Sequence, residues 1–138
     1  MIILDASFIV KLFVEEQGSD LAEACLSKLL ELGEEISTVD IALAETLNAL
    51  WKHCTMIRDL EEGDFREAVS DLLNFWLKLE VISTQDLALD AAQLALENRI
   101  TVYDALYIVA TIRQKAGLAT FDKRLREEAE RHMIPVYP

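Results

Sequence analysis

The 138-residue chain is poor in the residues that punctuate a fold, with 4 Gly and 2 Pro, well below the roughly 12% of an average protein. That scarcity excludes a disordered tail or a low-complexity linker. Cysteine and histidine are as sparse, at two each. Cys25 and Cys54 have no CxxC spacing and lie in apolar, helix-like surroundings, so both are expected to be ordinary buried thiols. His53 and His132 each lack a second His four residues away, so no zinc-type ligand pattern is present. Long apolar runs are missing too. Residues 1–4 are apolar but stop at Asp5, and the run 8–14 contains Lys11, so there is neither a signal h-region nor a membrane span of about 18 residues. A soluble, cytoplasmic protein with no membrane partner is expected. Basic charge is the last deficit: 13 Lys+Arg face 25 Asp+Glu, for a net charge of −12. Taken alone, that balance opposes a phosphate-binding surface.

What is present is a composition that is 52% hydrophobic. The length suits a single domain over residues 1–138, large enough to bury about two-thirds of its unfolded surface without metal or disulfide staples. Apolar periodicity alternates short strands with helices. Strands are predicted at 2–4, 36–39, 81–82, 118–121 and 134–137. Helices are predicted at 7–15, 19–32, 41–56, 64–79, 87–97, 102–115 and 123–132, with Gly117 at the C′ position after the sixth. Five strands, most of them separated by helices too long for hairpins, imply an α/β domain with a mostly parallel sheet covered on both faces. In such sheets the ligand crevice lies outside the carboxyl ends of the strands, where strand order reverses.

The acidic residues sort by their neighbours. Glu15-Glu16, Glu34-Glu35, Glu61-Glu62 and Glu127-Glu128 lie at element ends or in a charged helix, and are expected on solvated faces. Asp5, Glu45, Asp104 and Asp122 instead interrupt or follow apolar strings, where an ionised carboxylate is costly unless paired. Asp5 and Asp122 also stand at strand-to-helix junctions, where Asp is a favoured N-cap worth about 1 kcal/mol. The capping-box spacing occurs three times, at Thr101/Asp104, Ser37/Asp40 and Ser83/Asp86, and Asp40 and Asp86 read as caps. Asp104 differs in carrying Ile100, Tyr107 and Ile108 on its own helix face. Glu45, about two turns into its helix, has Ile41, Ala42 and Ala49 beside it and is expected to look towards a packed interior. On the predicted sheet these four carboxylates converge on one crevice. Their mutual repulsion is tolerable mainly if they hold hard divalent cations, and oxygen-only ligands select Mg²⁺ or Mn²⁺ over Zn²⁺. The chemistry implied is phosphoryl transfer or phosphodiester hydrolysis.

At these residues the chain resembles the PIN-domain ribonucleases, in particular the VapC toxins of toxin–antitoxin pairs. The resemblance runs through Met-Ile-Ile-Leu-Asp5-Ala-Ser7 with Lys11-Leu12, Ile41-Ala-Leu-Ala-Glu45-Thr-Leu-Asn48-Ala-Leu50, Ile100-Thr-Val-Tyr-Asp104-Ala-Leu-Tyr-Ile-Val-Ala110 and Thr120-Phe-Asp122-Lys-Arg-Leu125. Each string is a weak signal; their order and spacing make the match specific. The resemblance implies a single PIN-like domain with a five-stranded parallel sheet of order 3-2-1-4-5 and about seven flanking helices. It implies Mg²⁺- or Mn²⁺-dependent endonucleolytic cleavage of RNA. Asp5, Asp104 and Asp122 would hold the main metal, while Glu45 would complete the pocket, bind a second metal or orient the attacking water. Ser7 and Thr120 match accessory polar positions, though both are ordinary turn residues too. Arg126 stands where some relatives carry a further acid, which leaves four carboxylates. Lys11 and Lys123, each following a site strand, are the first candidates for phosphate contacts. A homodimer and a small antitoxin partner covering the site are further implications, with Trp51, Phe75 and Trp76 as contact candidates that fit a core equally well.

Other acidic-pocket folds match less well. A phosphorelay receiver would need an acceptor Asp after the third strand and a Lys after the fifth, where the chain has Ser83-Thr84 and Tyr137-Pro138. A haloacid-dehalogenase-type phosphatase needs DxD after the first strand, but Asp5 is followed by Ala6-Ser7. The alternatives that stand are a PIN-like RNA- or protein-binding module with little turnover and a solitary RNA-processing nuclease. With four acids assigned to a metal pocket, the negative charge no longer excludes RNA. It predicts weak non-specific affinity, metal-dependent recognition and a basic partner segment as occupant of the groove.

Overall fold

Ile2, Ile3 and Leu4 are apolar at consecutive positions, the pattern of a strand covered on both faces, and they form β1 (Ile2–Leu4), fully buried. The computed structural model describes residues 1–138. β1 is the middle strand of a five-stranded sheet of order β3-β2-β1-β4-β5, with β2 (Ile36–Val39), β3 (Glu80–Ile82), β4 (Gly117–Ala119) and β5 (Val136–Tyr137). All pairings are parallel; Leu4 faces Thr38 on one side and Ala119 on the other. Seven α-helices connect and cover the strands: α1 (Ala6–Val10), α2 (Ser19–Glu31), α3 (Ile41–Lys52), α4 (Glu62–Trp76), α5 (Thr84–Asn98), α6 (Val102–Gln114) and α7 (Lys123–Arg131). α6 is apolar on every side from Ala105 to Ala110 and is buried along that length, as a helix without a polar face must be. No helix is long and apolar enough to cross a membrane. The chain builds β1, β2 and β3 outward in one direction and then returns to the far side of β1 for β4 and β5. The reversal therefore falls between β1 and β4, and their carboxyl ends open the crevice.

Several local expectations change in the structure. The first helix stops at Val10 rather than 15: the backbone tightens there to i→i+3 bonds, Lys11 to Phe8, Leu12 to Ile9 and Phe13 to Val10, and the Lys11 side chain reaches Glu16 Oε1 at 2.9 Å and the Gln17 carbonyl at 2.7 Å. Gly18, at φ +94°, then redirects the chain into α2. Gly117 is not a helix C′ residue. Lys115 takes the left-handed conformation that ends α6, at φ 51°, and Gly117 starts β4 between two neighbours. A Cβ there would sit 2.8 Å from Tyr137 Cε2 and 3.0 Å from Ile2 Cδ1, so the position requires glycine for closeness rather than for dihedral freedom. Of the three capping-box spacings, Thr101 accepts from the Asp104 amide at 3.1 Å and Ser83 from the Gln85 amide at 3.2 Å. Ser37 lies inside β2 and donates to the Glu80 carbonyl at 2.8 Å. Asp40 makes no side-chain cap and accepts the Thr84 hydroxyl instead.

Three of the glutamates expected on solvated faces are engaged. Glu34 takes the N-terminal ammonium at 2.6 Å. Glu16 bridges Lys11 and His53, whose ring is buried with Nε2 3.0 Å from Glu16 Oε2 and Nδ1 2.8 Å from Asp59 Oδ1. That histidine opens a π-helical turn (His53–Ile57) continuing α3. Glu128 is only 1% exposed and accepts from Asn98 and Arg131 at 2.6 and 2.9 Å, with His132 Nε2 at 3.2 Å. Both histidines are thus held by carboxylates, and both cysteines are free and half-buried. Phe75 and Trp76 pack against the core, Phe75 with its ring 5.6 Å from Phe13, whereas Trp51 is exposed.

Candidate functional site

The carboxyl end of β1 delivers Asp5, and that of β4 delivers Thr120. Asp5 is the N-cap of α1 and accepts the Phe8 amide at 2.9 Å. Its carboxylate also receives the Thr120 hydroxyl at 2.6 Å and the Ser7 hydroxyl at 2.8 Å. Ser7 Oγ in turn accepts the amides of Phe121 and Asp122, at 2.9 and 3.1 Å. One serine and one threonine thereby stitch the end of β4 to the end of β1, and Asp5 lies beneath them at 3% exposure. Burial is the main force on its proton: despite the bonds from Thr120, Ser7 and Phe8, and with Asp122 repelling it, the carboxyl is pushed up to about 6.

The other three acids line one cavity of about 640 Å³, together with Thr101, Tyr103, Phe121, Lys123 and Arg124. Asp104 arrives in the first turn of α6, capped by Thr101. Asp122 is exposed and caps α7, its Oδ1 accepting from Arg124 and Leu125 at 2.8 and 3.0 Å. Capping and placement at the crevice therefore coexist in Asp5 and Asp122; the two readings are not rivals. Glu45 corrects its expectation. It is the fifth residue of α3, half-buried in the cavity wall rather than aimed into packing, and its Oε1 accepts the Tyr107 hydroxyl at 2.8 Å. Burial lifts the Glu45 proton affinity, the Tyr107 bond opposes that, and Asp104 and Asp122 add repulsion. Asp104 is raised by burial and by Asp122, with Thr101 and Arg124 in opposition. Tyr107 itself is pushed well upward by burial and by the charges of Glu45 and Asp5, so it remains a phenol donor. Periodicity placed Tyr107 on the apolar stripe beside Asp104; its hydroxyl was the overlooked signal.

The two lysines named for phosphate contacts part company. Lys123 is exposed at the cavity edge. Lys11 lies outside it, bound to Glu16 with its ammonium 5.0 Å from the Phe121 ring centroid. Arg124 also lines the cavity, beside Lys123. Arg126 reaches the carbonyls of Thr120 and Pro138, each at 3.1 Å, and so secures the end of β4.

The donor set suits a hard cation: carboxylates and hydroxyls only, with three of the acids raised by burial and by one another. No three His, Cys, Asp or Glu side chains are close enough together to form a metal cage; Mg²⁺ needs only one or two carboxylates beside waters and substrate phosphate oxygens.

A parallel α/β sheet with carboxylates gathered over its switch point defines an acidic-pocket domain. Within that class the chain belongs to the PIN domain family, whose model matches residues 2–130. It is 35% identical over 129 residues to a protein named ribonuclease VapC3 of Pyrobaculum aerophilum, covering 92% of this chain and 93% of that one. Among solved structures it is similar in fold to Mycobacterium tuberculosis VapC20, described as a sarcin-ricin loop cleaving toxin, with TM-score 0.69, 15% identity and coverage of 93% and 95%. A toxin–antitoxin complex from Klebsiella pneumoniae contains a chain that matches with TM-score 0.61, 18% identity and coverage of 90% and 88%.

Proposed function

We propose that the protein is a divalent-metal-dependent endoribonuclease of VapC type, the toxin component of a toxin–antitoxin pair. The observation that carries this reading is that Glu45, Asp104 and Asp122 line one cavity at the β1–β4 crevice, with Asp5 near enough to feel the charge of Asp122, and that the four acids outnumber the two cations there, Lys123 and Arg124. Asp5, Asp104 and Asp122 hold Mg²⁺ or Mn²⁺, and Glu45 completes the pocket or binds a second ion. When bound, the metal supplies Lewis-acid stabilisation of phosphate charge and eases deprotonation of the attacking water. The chain's own contribution is placement. Ser7 and Thr120 hold the Asp5 carboxylate in one orientation, and Tyr107 does the same for Glu45. Lys123 and Arg124 provide positive charge at the rim for the RNA backbone. The relative's name supports RNA as substrate. Exposed Trp51 near the end of α3 and Met56 and Ile57 in the π-helical turn that follows offer apolar surface to an antitoxin or a second copy, and a cytoplasmic setting fits all of these roles.

The test is cleavage of a mixed RNA pool with Mg²⁺ or Mn²⁺, for wild type with and without EDTA and for Asp104→Asn. Cutting by wild type is expected to vanish with the chelator and to fall at least tenfold in the variant, since even outer-shell changes cost about 10–100-fold in metal affinity or activity. Equal cutting by both proteins would sink the assignment. RNA or protein binding without cutting would favour the binding-module alternative. A short upstream gene overlapping this reading frame would support a toxin, and its absence a solitary nuclease.

A further inference from the structure

Three cavities meet at Glu45. The acidic one holds Asp104, Asp122, Lys123 and Arg124; a second, of about 270 Å³, is formed with Ile41, Ala44, Asn48 and Tyr103; a third, of about 280 Å³, extends past Ser7 and Asn48 to Lys52. The first two share Glu45 and Tyr103 and the last two share Glu45 and Asn48, so they are neighbours along one trough-like surface, with Lys123 and Arg124 in the first and Lys52 in the third. Tyr103 belongs to the first two. It stands in the first turn of α6, immediately before Asp104, and its side chain is 57% exposed. The other aromatic groups nearby are already spoken for. Phe121 has Phe8 at 5.6 Å and the Lys11 ammonium at 5.0 Å from its ring centroid. Tyr107, one turn further along α6, is 3% exposed and bonded to Glu45. Phe121 also lines the acidic cavity, but Tyr103 is the ring there with no aromatic or cation neighbour, beside the apolar ledge of Ile41 and Ala44.

We propose that Tyr103 is a stacking platform for one unpaired RNA base next to the scissile phosphate, with the carboxamide of Asn48, which lines the same cavity from α3, as donor and acceptor for that base's edge. The proposal rests on the nuclease reading and assigns to that site a residue that would contact a base. A trough lined by carboxylates gains little from phosphate contacts, because a chain of net charge −12 repels a polyanion. Stacking escapes that penalty, since a base is uncharged and every base offers a π-face. A base within a duplex has both faces covered, so a stacked base must come from a single strand, loop or bulge. Tyr103 is thus a positioning residue: it fixes the nucleotide beside the bond while Asp104, the next residue, faces the phosphate.

The test is binding of a fluorescein-labelled, single-stranded RNA oligonucleotide of mixed sequence, read by anisotropy with Ca²⁺ in place of Mg²⁺ so that the RNA stays whole. Tyr103→Ala is expected to weaken binding roughly tenfold or more, the range for losing one base–aromatic stack. Tyr103→Phe and Tyr103→Trp should bind as wild type does, and all three variants should keep the wild-type melting temperature. In an oligonucleotide series with one abasic site moved along the strand, one position should cost wild type about as much as Tyr103→Ala does. That position should cost Tyr103→Ala nothing further. An unchanged affinity for Tyr103→Ala, equal abasic penalties in both proteins, preference for duplex RNA, or no RNA binding by wild type would each overturn the platform. Loss of an antitoxin contact without loss of RNA binding would reassign the ring to protein recognition and overturn it as well. RNA that binds through Tyr103 and is never cut would leave the platform standing and sink the nuclease.

Discussion

Asp5→Asn is expected to abolish cleavage and, in the metal-free protein at neutral pH, to raise the melting temperature. The two effects share one cause. Asp5 is buried, and its carboxyl is pushed up to about 6 from the ordinary 3.8, chiefly by burial. Because the folded state binds this proton more tightly than the unfolded chain does, the group's contribution to stability is complete below about pH 4. It is lost as pH rises through about 6. Holding the charge at pH 7 and above therefore costs on the order of 3 kcal/mol. Asparagine removes that charge but returns part of the gain, since an amide NH₂ cannot accept the Thr120 proton as the carboxylate does. A net stabilisation of about 1–2 kcal/mol, several degrees in Tm, should remain. Added Mg²⁺ should reverse the order by stabilising wild type through binding. Activity should fall at least 100-fold, beyond what loss of an outer-shell partner costs. Melting curves from pH 4 to 8 with and without Mg²⁺, alongside RNA cleavage, check both halves. A variant less stable than wild type at every pH would contradict the burial argument.

Glu128→Ala is expected to have the largest cost in stability, with the opposite pH sign. Burial pulls the Glu128 carboxyl upward, but hydrogen bonds from Asn98, His132 and Arg131 outweigh it and hold the group below its ordinary value. Its contribution is therefore present above about pH 4.5 and lost as pH falls through the lowered folded value. Removing the carboxylate leaves the Asn98 amide without its acceptor and detaches α7 from the end of α5. A loss of about 2–4 kcal/mol at pH 7 is expected, shrinking towards zero under acid. Urea unfolding at pH 7 and at about pH 3.5 measures it, and an equal loss at both would show that packing rather than the ionised network is responsible.

Elements with strong local patterns were legible from sequence. Ile2-Ile3-Leu4 announced a central strand, and the periodicity of 102–115 announced α6. Asp5 and Asp122 were readable as junction residues because capping is a short-range interaction. What escaped depends on partners far apart in the chain. Glu16 looked solvated until His53, 37 residues away, was folded against it. Glu128 needed Asn98, 30 residues back. Glu45 was expected in a packed interior because its neighbours are small and apolar, yet those neighbours leave room for a cavity wall. Gly117 carried the composition of a helix stop and does a different task, since its constraint comes from Ile2 and Tyr137 across the sheet. Glycine and glutamate therefore misled in the same way: residue type signals that a position is special, whereas tertiary contact decides for what.

The commitment of Lys11 to Glu16 bears on ionic strength. With that ammonium tied down, Lys52, Lys123 and Arg124 are the cations left along the trough. Three phosphate contacts on a single strand release few counterions, so the logarithm of RNA affinity should fall against the logarithm of salt concentration with a slope of only about −2. A fourfold rise in salt should then cost only about 16-fold in affinity, against the roughly 10³–10⁵ lost by a protein with 6–10 phosphate contacts, and a titration with KCl would reveal how little of its grip is electrostatic.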